Sequence, residues 1–152
     1  MQIYRDINGK RIRDIATYAR KFLATHTGSK IYIGTDSQNT RKKTLYATVI
    51  AFRYDRKGVH YIYHRQSFKK IRSRFDRLWR ETQFSIEVAT ELRDTHQLPI
   101  ERIELDYNKK KTAGSNMMIS AGEGYVTGLG FNVASKPDEL IATKAADHII
   151  RH

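Results

Sequence analysis

The chain has 152 residues, with 28 Lys plus Arg against 16 Asp plus Glu, a net charge of +12 and an isoelectric point near 10.0. With no Cys, 2 Pro, 9 Gly and no short repeat, it is neither a disulfide scaffold, a cysteine-ligated zinc domain, a collagen nor a mucin. No apolar run approaches ~18 residues and Met1–Asp6 lacks a signal-peptide core, so the reading is a cytoplasmic protein with no membrane partner, whose charge points to a polyanion, nucleic acid first.

The first helix is predicted over residues 8–25, where Ile12, Ile15, Ala16, Ala19, Phe22 and Leu23 recur at helical spacing. It ends at His26-Thr27-Gly28-Ser29. Ile31 to Asp36 reads as a short apolar strand running into polar residues, followed by a turn from Ser37 to Lys43. Thr44–Tyr54 is rich in β-branched and aromatic residues and reads as a strand. Asp55-Arg56-Lys57-Gly58 is a hairpin turn, and Val59–Phe68 alternates as a strand. A basic connector follows, and a long helix is predicted over about Phe75–Thr95, with Phe84, Val88 and Leu92 as its apolar stripe. Leu98-Pro99 forces a turn. Ile100–Tyr107 alternates Ile103, Leu105 and Tyr107 against Arg102, Glu104 and Asp106. A helix over Ser115–Thr127, a strand over Phe131–Ala134 and a last helix from Ser135 complete the chain. In that last helix Ser135 is read as N-cap and Pro137 as first turn. After the first helix the order is β-β-β-α-β-α-β-α, with a single seam at His26–Ser29. This divides the chain into an N-terminal helical extension (1–28) and an α/β domain (29–152).

The acids fall at the polar ends of these elements. The strands carrying Asp36 and Asp106 are separated by a helical crossover, so they can be parallel neighbours in the sheet centre with adjoining C-terminal ends. In open α/β sheets ligands bind there. Glu81 falls near ~60° on a wheel with Phe84 at zero, between Val88 (~40°) and Leu92 (~80°). It therefore points at the sheet, where a carboxylate is costly without a compensating partner. Arg77 or Arg80 could pair with it; a bound cation is the other partner. Glu87 and Glu91 fall at or beyond the stripe's edge. Asp138, at the expected start of the last helix, is a capping residue or a ligand. Several acids, each on its own core element, suit a hard divalent cation such as Mg²⁺ or Mn²⁺. Two such ions can activate water and stabilise a leaving oxygen in phosphodiester hydrolysis.

The sequence resembles the ribonuclease H-like superfamily through Ile33-Gly34-Thr35-Asp36-Ser37, Arg80-Glu81-Thr82, Glu104-Leu105-Asp106-Tyr107 and Pro137-Asp138-Glu139-Leu140. More narrowly, the segments SIEVATEL, LDYN, GYVTGLGF and KPDELIATKAAD are similar to a small bacterial group of YkuK-like proteins. The resemblance implies a five-stranded mixed sheet with helices on both faces. It also implies a two-metal nuclease with Asp36, Glu81, Asp106 and Asp138 as catalytic metal ligands. Asp36 would bridge both ions, Glu81 and Asp106 would hold one, and Asp138 the other. Asp147 is the second candidate for the fourth ligand. The Gly-rich turn that follows the first Asp in ribonuclease H proper is replaced here by Ser37-Gln38-Asn39.

Three basic groups are expected to contact the substrate. They are Arg41, Lys42 and Lys43 in the first turn, Lys69, Lys70, Arg72 and Arg74 in the connector, and Lys109, Lys110 and Lys111 after Asp106. Phe75, Leu78 and Trp79 are expected in the core. The substrate is RNA, an RNA–DNA hybrid or structured DNA. The alternative is a non-catalytic nucleic-acid-binding module on the same fold.

Overall fold

A computed structural model describes residues 2–56, 58–107, 113–135 and 139–151, with backbone only for 113–116. The elements are β1 (Tyr4–Arg5), β2 (Arg11–Ile12), α1 (Ile15–Thr25), β3 (Lys30–Asn39), β4 (Lys43–Tyr54), β5 (Gly58–Lys69), α2 (Arg74–Thr90), a π-helical turn (Glu91–Thr95), β6 (Arg102–Leu105), α3 (Ala113–Gly128), β7 (Val133–Ser135) and α4 (Ala142–Arg151). From Lys30 onward this is the β-β-β-α-β-α-β-α order the sequence predicts.

The strands form one mixed sheet in the order β2-β1-β5-β4-β3-β6-β7. β3, β4 and β5 are an antiparallel meander, while β6 runs parallel to β3, and β7 parallel to β6. The sheet has seven strands rather than five, because the N-terminal residues form a hairpin that adds to its edge through Arg5↔Tyr63. Helix α1 accordingly starts at Ile15 and not at residue 8. Asp14 stops it, accepting the amides of Ala16 (3.0 Å) and Thr17 (3.2 Å) as an N-cap. Ile12, which matches the helical spacing, is strand instead.

Alternation along the strands separates two cores. Ile31, Ile33, Ile50, Phe52, Ile62, Ile103, Leu105 and Tyr107 pack under α1, α2 and α3. Tyr32, Ala47, Val49 and Ala51 pack under α4, through Ile141, Ala142, Ala146, Ile149 and Ile150. Helices therefore cover both faces, as the resemblance implies.

Several boundaries differ from the sequence reading. β3 continues past Asp36 to Asn39, paired throughout with β4, so the first turn is Thr40–Lys42. The last helix starts at Ala142; Ser135 ends β7 and is not its N-cap. Helix α2 begins at Arg74, one residue ahead of expectation, with the Asp76 amide donating to Ser73 Oγ (3.2 Å). Its buried stripe is Leu78, Glu81, Thr82, Ser85, Val88 and Ala89.

Candidate active site

β3 and β6 set the first two acids. Their parallel pairing runs Tyr32↔Arg102, Ile33↔Ile103 and Gly34↔Glu104. Two residues further on come Asp36, still within β3, and Asp106, just past the end of β6. Leu105 and Tyr107 are buried on the α1–α3 face, so Asp106 lies on the α4 face, with Asp36. Tyr107 is itself fixed, its hydroxyl bonded to that of Thr82. Gly122 makes room for the ring: a Cβ there would stand 2.7 Å from Tyr107 Cε2.

Helix α4 brings a further acid. Its N-terminus is docked by Glu104, a fully buried carboxylate that accepts the amides of Ile141 (2.9 Å), Ala142 (2.6 Å) and Thr143 (3.1 Å). Negative charge at a helix N-terminus is favourable, and here it takes up amides that no helical carbonyl can reach. Arg102 pairs with the same carboxylate (2.8 Å) and lies over the Tyr32 ring, 4.9 Å from its centroid. Gly34 permits the approach: a Cβ there would stand 2.8 Å from the Thr143 backbone nitrogen. So docked, α4 sets Asp147 against Asp36, carboxyl to carboxyl. Arg151 Nε donates to Asp147 Oδ1 at 2.5 Å.

Glu81 arrives from the opposite face. It is buried, as its place in the helical stripe predicts, while Glu87 and Glu91 are exposed. The Ser37 hydroxyl donates to Glu81 Oε2, and Arg77 Nη1 donates to Ser37 Oγ at 3.2 Å. Arg77 thus acts through Ser37, and no direct Arg77–Glu81 pair is present among the described residues. The Tyr46 hydroxyl, donating to Arg77 O at 3.0 Å, closes the wall.

The electrostatics register this crowding. Burial, then the hydrogen bond to Asp147 and the charges of Asp106 and Asp147, push the Asp36 carboxyl up to about 7, against the opposing pull of the Ser37 amide. Burial and the nearby Asp36 charge hold Glu81 well above the ordinary carboxylate range, with Ser37 and Arg77 opposing and Asp106 adding to the rise. Asp36, Glu81, Asp106 and Asp147 therefore share one electrostatic neighbourhood. As they stand, no three acids or histidines among the described residues are set to hold a metal ion. Like-charged carboxylates in one low-dielectric pocket repel each other in the absence of a cation.

A family model described as ribonuclease H-like matches residues 11–151. The chain belongs to the ribonuclease H-like family. No curated protein and no solved structure matches it.

Within this ribonuclease H-like chain, the charge of Asp106 acts on Asp36 and on Glu81, and that of Asp36 on Glu81. Asp138 lies outside the described residues, as do Lys109, Lys110 and Lys111. Glu104 belongs to the docking of α4. Sequence reasoning misses its burial, because alternation places it beside Asp106 without showing what covers it. Ser37 is missed as well; its only sequence signal is that it directly follows Asp36.

The basic residues of the first turn and the connector lie at the same end of the sheet as Asp36. Arg41, Lys42 and Lys43 are exposed, and Lys43 pairs with Lys69 across β4 and β5. The Lys70 amide donates to Lys42 O (3.2 Å) and the Ile71 amide to Thr44 Oγ1 (2.8 Å), which brings exposed Arg72 and Arg74 to that rim. Of the aromatics expected in the core, Phe75 is half exposed and stacks on Trp79, with ring centroids 6.1 Å apart. Leu78 alone of that group is buried, because Phe75 and Trp79 share a helix flank away from the buried stripe. No helix among the described residues is long and apolar enough to cross a membrane.

Proposed function

We propose that this protein is a divalent-metal-dependent nuclease that hydrolyses phosphodiester bonds in RNA, an RNA–DNA hybrid or structured DNA. The observation that carries the reading is that burial with the charges of Asp106 and Asp147 raises Asp36 on β3, while burial with the charges of Asp36 and Asp106 raises Glu81 on α2, so acids from four separate segments act on two buried carboxyls. Carboxylates buried within reach of one another's charge are costly when ionised, and a bound cation offsets that cost. An all-oxygen donor set suits Mg²⁺ or Mn²⁺.

Asp36, Glu81 and Asp106 would hold the cations, and Asp147 would supply the fourth carboxylate on the strength of its contact with Asp36. When bound, two such ions activate a water and stabilise the leaving oxygen as the phosphorus–oxygen bond breaks. The chain's own groups do the positioning. The Ser37 amide fixes one oxygen of Asp36, and the Ser37 hydroxyl, steadied by Arg77, orients Glu81. Glu104 holds α4 so that Asp147 reaches Asp36. Arg41, Lys42, Lys43, Lys69, Lys70, Arg72 and Arg74 carry the charge that draws the substrate's phosphates to this end of the sheet, and Lys109, Lys110 and Lys111 belong to the same proposal.

The test is hydrolysis of a panel of labelled RNA, hybrid and DNA substrates with Mg²⁺ or Mn²⁺, beside Asp36→Asn and Asp106→Asn. Metal-dependent cleavage lost in both variants supports the reading; cleavage that survives both, or never appears, defeats it. A second reading, a nucleic-acid-binding module without catalysis, draws on the lack of three ligating groups within one ion's reach among the described residues. It predicts salt-dependent binding with no response to divalent cations.

A further inference from the structure

The N-terminal hairpin lies outside the elements that build the acid site, yet it carries a distinct charge pattern. Tyr4 is buried on the α1–α3 side, so its neighbour Arg5 lies on the α4 face of the sheet. Register then fixes what stands beside it. Arg5 pairs with Arg11 on β2 and with Tyr63 on β5. One row along, Asp36 pairs with Ala47 and Ala47 with Arg65. Arg65 is therefore on the same face and in the same cross-strand row as Asp36, two strand spacings or ~10 Å away.

Arg5 and Arg65 line one cavity of about 530 Å³ together with Ile3, Gly9, Tyr63 and His64. A second cavity of about 770 Å³ shares Ile3, Arg5 and Gly9 and continues past Lys10, Arg11 and Arg13. Arg5, Arg11 and Arg65 are exposed. None of the three forms an ion pair among the described residues; the guanidinium of Arg5 donates to Gly9 O (2.9 Å). Like charges directly opposite on neighbouring strands are destabilising. The Arg5–Arg11 pair is such an arrangement, and an anion laid between the two side chains would turn the repulsion into attraction.

We infer that this groove is a second phosphodiester-binding surface, in which Arg5, Arg11 and Arg65 hold the backbone of a nucleic-acid strand that leads to the acid site. The inference rests on the nuclease reading for the strand's destination, while the binding itself needs no metal and no catalysis. The hairpin thereby gains a role, since it widens the sheet so that a row of guanidinium groups continues from the catalytic face. The contacts are to phosphate, so the groove is indifferent to base sequence.

The experiment is fluorescence anisotropy of a labelled, mixed-sequence single-stranded RNA of about 20 nucleotides with the full chain in EDTA, over a NaCl series. The wild type is compared with Arg5→Gln/Arg11→Gln/Arg65→Gln and with the single variants Arg11→Gln and Arg65→Gln, whose exposed side chains leave the fold intact. Each lost phosphate contact flattens the slope of log K against log [salt] by about 0.7, so the triple variant loses about 2 from that slope, each single variant about 0.7, and affinity falls. Unchanged affinity and slope in the triple variant overturn the groove, and the nuclease reading stands if metal-dependent cleavage by the wild type persists. Failure of the wild type to bind at low salt overturns the groove, and absence of cleavage in the same preparation overturns the nuclease reading too.

Discussion

The carboxyl of Asp36 is hydrogen-bonded to that of Asp147, an acid far along the chain on α4, whose start is pinned to the sheet by Glu104. The contact requires a proton between the two groups. That proton stands where the proposal places a cation.

The first prediction concerns that proton. Asp36 titrates near 7 in the folded chain and near the ordinary carboxylate value when unfolded, so the folded state binds the proton more tightly. Its contribution to stability is fully present below about pH 4 and is lost as pH rises through about 7. In EDTA, Asp36→Asn therefore raises the melting temperature at pH 8 by at least ~3 °C relative to the wild type, and by much less at pH 5. Thermal melts at the two pH values check this.

Glu81 separates catalysis from folding. Glu81→Gln keeps an acceptor for the Ser37 hydroxyl and removes a buried, proton-holding acid, so the variant melts no lower than the wild type. Cleavage falls at least ~100-fold, because a ligand charge is gone. Parallel melting and cleavage assays report the two effects independently.

Glu104 behaves in the opposite way. Glu104→Ala strips the cap from the amides of Ile141, Ala142 and Thr143 and leaves Arg102 without its carboxylate. Loss of a buried, charge-assisted partner costs about 3–5 kcal/mol, visible as a lower urea midpoint. Gly34→Ala presses a methyl group into Thr143 and destabilises by about 1–3 kcal/mol at the same joint.

His60 gives an acid-side signature away from the site. Its Nε2 meets the Tyr18 hydroxyl at 2.6 Å, its ring stacks on Phe22 with centroids 5.0 Å apart, and burial holds its pKa below the ordinary value. The unfolded chain thus takes up the proton first, and stability is lost as pH falls below about 6.5 through the folded value. His60→Gln flattens this part of the stability–pH curve, as urea titrations from pH 7.5 to 5 will record.

Much of this was legible in the residues. β-branched and aromatic runs located β4 and β5, and helical spacing located α2 and the inward aim of Glu81. The crossover rule placed the strands of Asp36 and Asp106 side by side. What escaped depends on partners distant in sequence. Strands β1 and β2 are two residues each, too short for alternation to register, and they exist because β5 offers an edge. Ser135 reads as a helix N-cap but ends β7, and the amides that begin α4 are capped from β6, by a glutamate 37 residues upstream of the first of them.

The most direct measurement is a calorimetric titration of the chain with Mn²⁺ at pH 7 in two buffers of different ionisation enthalpy. The account predicts millimolar or tighter binding with proton release to the buffer, as the cation displaces the proton held by Asp36, and loss of both signals in Asp36→Asn. An absence of Mn²⁺ binding at millimolar concentration, or identical isotherms for wild type and Asp36→Asn, would contradict it.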